Sequence, residues 1–272
     1  MDDLLRSHAP ITQSAWQAID TQAKSVLATN LAARKLVDFD GPHGWRRGAV
    51  DVGRVRALDA SPGTSAPAVR ASIRVVQPLV ELRAPFTLSR AELEDVGRGA
   101  DDPDLDRVVQ AATQIARAED QLVFHGFAAA GVQGVCERSP HPPLHVPDAY
   151  ESYPTVVADA VRVLRTAGVD GPYAIALGPR CWTGLVQAMG RGGYPVLEVV
   201  RQVVGGSVVW APAVDGAVVL STRGGDFTLT VGQDLSIGYT RHTDTTVDLY
   251  LLESLTFRVL APEAAVWLRY ES

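Results

Sequence analysis

The 272-residue chain is poor in cysteine, in excess basic charge and in long apolar runs, and each shortage removes a class of protein. Cys136 and Cys181 are too few for a disulfide framework and read as free thiols of a reducing compartment, so a cytoplasmic location is expected. No stretch approaches the roughly 18 consecutive apolar residues that a membrane-spanning helix requires, so no membrane insertion is expected. The start, Met1-Asp2-Asp3-Leu4-Leu5, is acidic with no apolar stretch behind it, which predicts no signal peptide. With 25 Lys+Arg against 31 Asp+Glu the formal net charge is -6. No basic cluster with interleaved aromatics is present, so nucleic acid is not an expected partner.

Catalytic motifs are also missing. Gly206-Ser207-Val208 lacks the second glycine of a nucleophile elbow. No G-x-G-x-x-G or Walker loop sits at a strand-to-helix joint, which argues against nucleotide binding. Of the six histidines only His141 and His145 are close, and Pro142 and Pro143 between them deny the helical spacing that would aim both rings at one metal. Adjacent residues on a helix point about 100° apart, so Glu119-Asp120 reads as a source of surface or intersubunit salt bridges rather than an acid/base pair. Cys181, beside Trp182, reads as a small core residue. The expectation is no catalytic residue, no metal and no cofactor.

What is present is a mixed α+β pattern. From Thr12 to Leu36 the residues Trp16, Ile19, Ala23, Val26, Leu27 and Leu31 form the stripe of an amphipathic helix, with a Ser14/Gln17 capping box at its start and a turn at Asp38 to Pro42 ending it. Residues 46–72, rich in Gly, Ala, Ser, Arg and Pro, have few core formers and predict a segment that either projects or is disordered. Val80 to Leu88 alternates as a half-buried strand, which Pro85 places at a sheet edge. Ser89 and Glu92 predict a capping box on a short helix stopping at Gly97, and a long helix follows Pro103 and ends at Gly126. From about Gly131 helices alternate with short apolar strands, and Asp226 to Leu260 is strand-rich, with Gly232 and Gly238 marking bends or bulges.

Two distant segments carry a resemblance. One is Gly224-Gly225-Asp226-Phe227-Thr228 through Asp234-Leu235-Ser236-Ile237-Gly238-Tyr239; the other is Arg6-Ser7-His8-Ala9-Pro10-Ile11-Thr12, Arg34-Lys35-Leu36-Val37-Asp38 and Gly44-Trp45. In this order and spacing, with Pro78 to Arg83, Phe86-Thr87-Leu88 and Tyr194-Pro195 between, the chain resembles the encapsulin shell proteins, also called linocin-like.

That resemblance implies an HK97-type phage major capsid fold. It divides the chain into an N-terminal helix and arm (1–45), an extended loop (46–77), a peripheral domain with a spine helix (78–127), an axial domain (128–223) and return strands (224–272). It implies a homo-oligomer, a sixty-subunit icosahedron (T = 1), enclosing a cargo enzyme that docks through a C-terminal targeting peptide. A dye-decolourising peroxidase is the preferred cargo and a ferritin-like protein the second. By matching position, the docking surface is Leu31, Arg34 and Asp38 facing Asp234, Leu235, Ile237 and Tyr239, and Ile237→Asp is expected to leave the shell intact but empty. Met189, Gly190, Arg191, Gly192, Gly193 and Tyr194 match a fivefold pore loop, where a repeated Arg191 would favour anions. Family members that bind flavin do so through an aromatic residue where this chain has Ala91, so no flavin is expected there. A prophage capsid protein and a bacteriocin- or protease-type enzyme are the alternatives.

Overall fold

The computed structural model describes residues 4–59, 70–147, 149–190 and 192–271. After a 3-10 turn at Arg6–His8, helix α1 spans Gln13–Asn30 and buries Ala15, Ile19, Ala23 and Leu27. Thr12 starts it, in place of the expected Ser14/Gln17 box: Oγ1 accepts the Ala15 amide at 3.2 Å. The helix stops at Asn30, short of the expected Leu36, because the Asn30 side chain turns back onto the Val26 carbonyl at 2.8 Å and the Asp120 carboxylate takes the next amides, those of Ala32 and Ala33. Strand β1, Asp38–Asp40, stands where a turn was expected.

Strands β2 (Ala49–Ala57) and β3 (Ser72–Pro78) form a two-stranded antiparallel hairpin, with Val55, Ile73 and Val76 exposed. The centre of the expected projecting loop, Ala60 to Ser65, lies outside the described residues. Strand β4 (Val80–Ser89) leads into α2 (Arg90–Arg98), which closes at Gly99, not Gly97. The expected capping box does not form, since Glu92 instead accepts the Asp104 amide at 3.1 Å. Helix α3 (Asp106–His125) is the long helix, ended by Gly126. Then come α4 (Val135–Arg138), β5 (Leu144–His145), α5 (Tyr153–Thr166), β6 (Tyr173–Leu177), α6 (Pro179–Gln187), α7 (Val196–Val204), β7 (Val208–Trp210), β8 (Ala217–Ser221), β9 (Phe227–Val231), β10 (Ser236–His242), β11 (Thr246–Val259) and β12 (Ala265–Arg269).

The first sheet is built on β11. Along one edge lies β4, from Ser89 opposite Thr246 to Val80 opposite Leu255. Along the other edge β9 and β10 follow one another, and β1 adds in parallel beside β9. Pro85 sits on β4, an edge strand, where its missing N–H costs no ladder bond. Ala84, Phe86 and Leu88 point into a core shared with α1 and α3, together with Leu249, Leu251 and Ile237. Gly238 serves close packing: a Cβ there would lie 2.3 Å from the Tyr250 ring. The register slip falls beyond it, between Tyr239 and Arg241.

The second sheet runs β5-β12-β8-β6-β7. Every residue of β6 and β8 is buried, which is why these strands read as continuous apolar runs rather than alternation. Within segment 224–272 the last strand, β12, joins the second sheet, antiparallel to β8. The two sheets share one core, in which Leu229, Val231 and Phe257 join Val218, Val219 and Leu268.

Candidate functional site

The fold brings the two resemblance segments together along the β9–β10 side of the first sheet. Leu31, just past α1, and Ile237, on β10, belong to one buried cluster, with Leu235 and Tyr239 half-buried at its margin. Asp38 is exposed, and its Oδ2 accepts the Gly225 amide at 2.6 Å, tying the two segments by a charge-assisted hydrogen bond. Ile237 is only 3% exposed, so a charge there would enter the core. Leu235, Tyr239, Asp38 and the partly exposed carboxylate of Asp234 are the accessible members of the expected set.

Arg34 faces inward more than outward. Its Nε and Nη2 fork onto Glu119 at 2.9 Å, Nη1 donates to Asp234 at 2.9 Å, and Nη2 also reaches Glu253. Glu119 and Glu253 are fully buried, one on α3 and one on β11, so a single guanidinium clamps helix to sheet. Burial acts to lower the Arg34 pKa, but the hydrogen bond and charge of Glu119, then Glu253 and Asp234, raise it overall. Glu253 is pushed well above the carboxylate range, first by burial and then by the Glu119 charge, against the pull of Arg34. The cation thus answers to three acids, and the upward shift of Glu253 favours its neutral form, which lessens the excess negative charge.

Asp120 is the second buried acid of α3. Burial pushes its pKa up to about 7, despite the Ala33 and Ala32 amides that favour its charged form. The Glu119-Asp120 pair, expected at a surface, is therefore interior: one side chain holds Arg34 and the other caps the turn that carries it. Glu119, Asp120 and Glu253 were not singled out as parts of the site from sequence. The available signal was that both α3 acids fall among its core-facing residues, since Ala116 and Leu122 flank them and are also buried. Phe39 is a further missed neighbour; its exposed ring lies 5.0 Å from the Arg34 guanidinium.

The start of the chain crosses this wall. The Leu4 carbonyl accepts the Tyr239 amide at 2.9 Å, and Arg6 pairs with Asp20 at 2.8 Å while lying 4.0 Å over the Trp16 ring. Elsewhere, the loop between α6 and α7 is closed by Gly190 N–H to the Tyr194 carbonyl at 2.8 Å, with Gly192 and Gly193 at positive φ and Met189 and Tyr194 exposed. Arg191 lies outside the described residues. His141 and His145 have separate partners, the Glu263 carbonyl and the Glu271 carboxylate. Cys181 is fully buried, its sulfur 3.0 Å from the Tyr270 hydroxyl. Among the described residues no helix is long and apolar enough to cross a membrane.

The family model described as "Encapsulating protein for peroxidase" matches residues 1–256. A type 1 encapsulin shell protein of Rhodospirillum rubrum is 53% identical over 271 residues, covering 99% of this chain and 97% of its own. A virus-like particle from Pyrococcus furiosus superposes with a TM-score of 0.64 at 16% identity, over 93% of this chain and 98% of its own. The capsid of Myoviridae phage XM1 does so at 0.54 and 10% identity, over 86% and 90%. These last two likenesses establish the HK97-type fold alone, whereas the family match and the relative extend over nearly the whole sequence. The chain therefore belongs to the type 1 encapsulin shell proteins, structural rather than enzymatic subunits of a capsid-like multimeric shell.

Proposed function

We propose that this subunit closes into a sixty-subunit icosahedron (T = 1) whose inner wall retains a cargo enzyme by its C-terminal targeting peptide, in the cytoplasm. The carrying observation is that Leu31 shares one buried cluster with Ile237, with Leu235 and Tyr239 at its margin, while Arg34 holds Asp234 and Asp38 is tied to Gly225. In this reading Leu235 and Tyr239 supply apolar contact, Asp38 and Asp234 fix register, and Ile237 and Arg34 hold the wall in shape from behind. Single sites can be weak, because many on one closed surface retain a multimeric cargo by avidity. The family description supports a peroxidase as first choice of cargo, with a ferritin-like protein second. The loop 189–194 is the proposed lining of the fivefold opening, with one Arg191 from each subunit.

The test is co-expression with a dye-decolourising peroxidase carrying its own targeting peptide. Because Ile237 lies in the core, the informative variant is Leu235→Asp. Hollow particles should still form, with particle mass giving the subunit number, and cargo per particle should fall at least about tenfold, the equivalent of about 1.4 kcal/mol per site. Unchanged loading would overturn the docking assignment. A particle mass far from sixty subunits would overturn the T = 1 assignment.

A further inference from the structure

At the root of the β2–β3 hairpin is a cavity of about 380 Å³ with side-chain donors and no Asp or Glu in its lining. Arg54 of β2, Gln77 of β3, Gln133, Arg138 of α4 and Arg258 of β11 converge on it from four parts of the chain. Arg54 follows a bulge in which the register slips between Asp51 and Arg54 and Gly53 has φ +69°. Bulges re-aim the side chains that follow them.

Some arginines elsewhere meet carboxylates, among them Arg34, Arg98, Arg162, Arg201, Arg223 and Arg241. Among the described residues Arg54, Arg138 and Arg258 have no such partner, a lack they share with others such as Arg83 and Arg117, but these three line a single cavity. Two donors of the cavity, Gln77 Nε2 and Arg258 Nε, are enclosed with no acceptor in reach. An enclosed N–H without an acceptor is unfavourable, and three guanidinium groups at one cavity repel one another. Both costs disappear when an oxyanion enters, because guanidinium N–H groups match carboxylate and phosphate oxygens.

We propose that this cavity is an oxyanion socket, filled in the shell by a carboxylate or a phosphate group. A neighbouring copy of the chain can supply the carboxylate, and exposed acids such as Asp101, Asp102 and Asp104 are available on every subunit. Solution phosphate is the other source.

The experiment uses assembled particles of the parent and of Arg54→Glu and Arg138→Glu, with Arg54→Lys and Arg138→Lys as charge-preserving controls. Thermal unfolding is followed in inorganic phosphate and in chloride at equal ionic strength, and subunit release in urea is followed by particle mass. A phosphate-dependent rise in Tm of about 3 °C in the parent, lost in the Glu variants and kept in the Lys variants, would establish a socket for free phosphate. No phosphate effect, with subunits leaving the Glu variants at least about tenfold faster than the parent and the Lys variants resembling the parent, would establish a neighbour's carboxylate. Glu variants that match the parent in both measurements would overturn the proposal. Particle formation itself is read separately, so loss of the socket and loss of the shell assignment are distinguishable.

Discussion

Two charged clusters in this subunit follow opposite rules. Around Arg34, acids outnumber the cation and the same chain supplies every partner: Glu119, Asp234 and Glu253 all reach one guanidinium. Around the hairpin root, Arg54, Arg138 and Arg258 gather with no acid in the lining. The first cluster is complete within one chain and ties α3 to the first sheet. The second remains incomplete in the isolated subunit, as expected for a surface whose counter-charges arrive with assembly. In a shell protein the balance of charge within one chain thus separates what folds the subunit from what the surroundings must supply.

The sharpest way to break this comparison is Arg34→Ala. It leaves Glu119 and Glu253 buried without their cation, and a loss of about 3–5 kcal/mol is expected, seen as lower denaturant resistance and a poor yield of particles. A variant as stable as the parent would show that the clamp is dispensable.

A more gradual effect, about 1.4 kcal/mol per pH unit, is expected from pH. The folded-state pKa of Asp120 is raised from 3.8 to about 7, so between those values the folded chain binds more protons than the unfolded one. Its contribution to stability is therefore fully present below about pH 4 and is lost as pH rises through about 7, by on the order of 4 kcal/mol in total. Asp120→Asn keeps an acceptor for the Ala32 and Ala33 amides and removes the titration. Tm measured from pH 5 to pH 8 should fall less in the variant than in the parent; parallel profiles would remove Asp120 from the account.

The smallest effect is expected for Glu253→Gln. Since burial favours the neutral form of Glu253, the neutral amide is a near match, and a change below about 1 kcal/mol is expected from denaturant titration. A loss as large as that of Arg34→Ala would show Glu253 to be ionised.

Legibility in the sequence followed the range of the interactions. The stripe of α3, the alternation of β4 and the glycine that ends α3 are local patterns, and each could be read directly. Strand β1 could not: Asp38-Phe39-Asp40 has turn-like composition and is held extended by β9, far along the chain. The end of α1 was misjudged because the apolar stripe continues to Leu31 and Leu36, whereas the helix is stopped by a carboxylate contributed from α3. The residues assigned to the docking surface were chosen by position in a familiar order, but the contacts that Arg34 makes were not read. Arg34 meets partners 85, 200 and 219 positions away, and no spacing rule announces such a junction.

The hydrogen bond between the Leu4 carbonyl and the Tyr239 amide has a consequence for solubility. Among the described residues strand β10 pairs with β11 on one side only, so its outer row of amides and carbonyls would otherwise be a template for a stray strand. Many copies crowd together while particles grow, and a bare edge would then invite irregular β-pairing. The opening residues of the chain partly shield that edge, and fusions at this end should be judged by whether they preserve the shield as well as by how the shell closes.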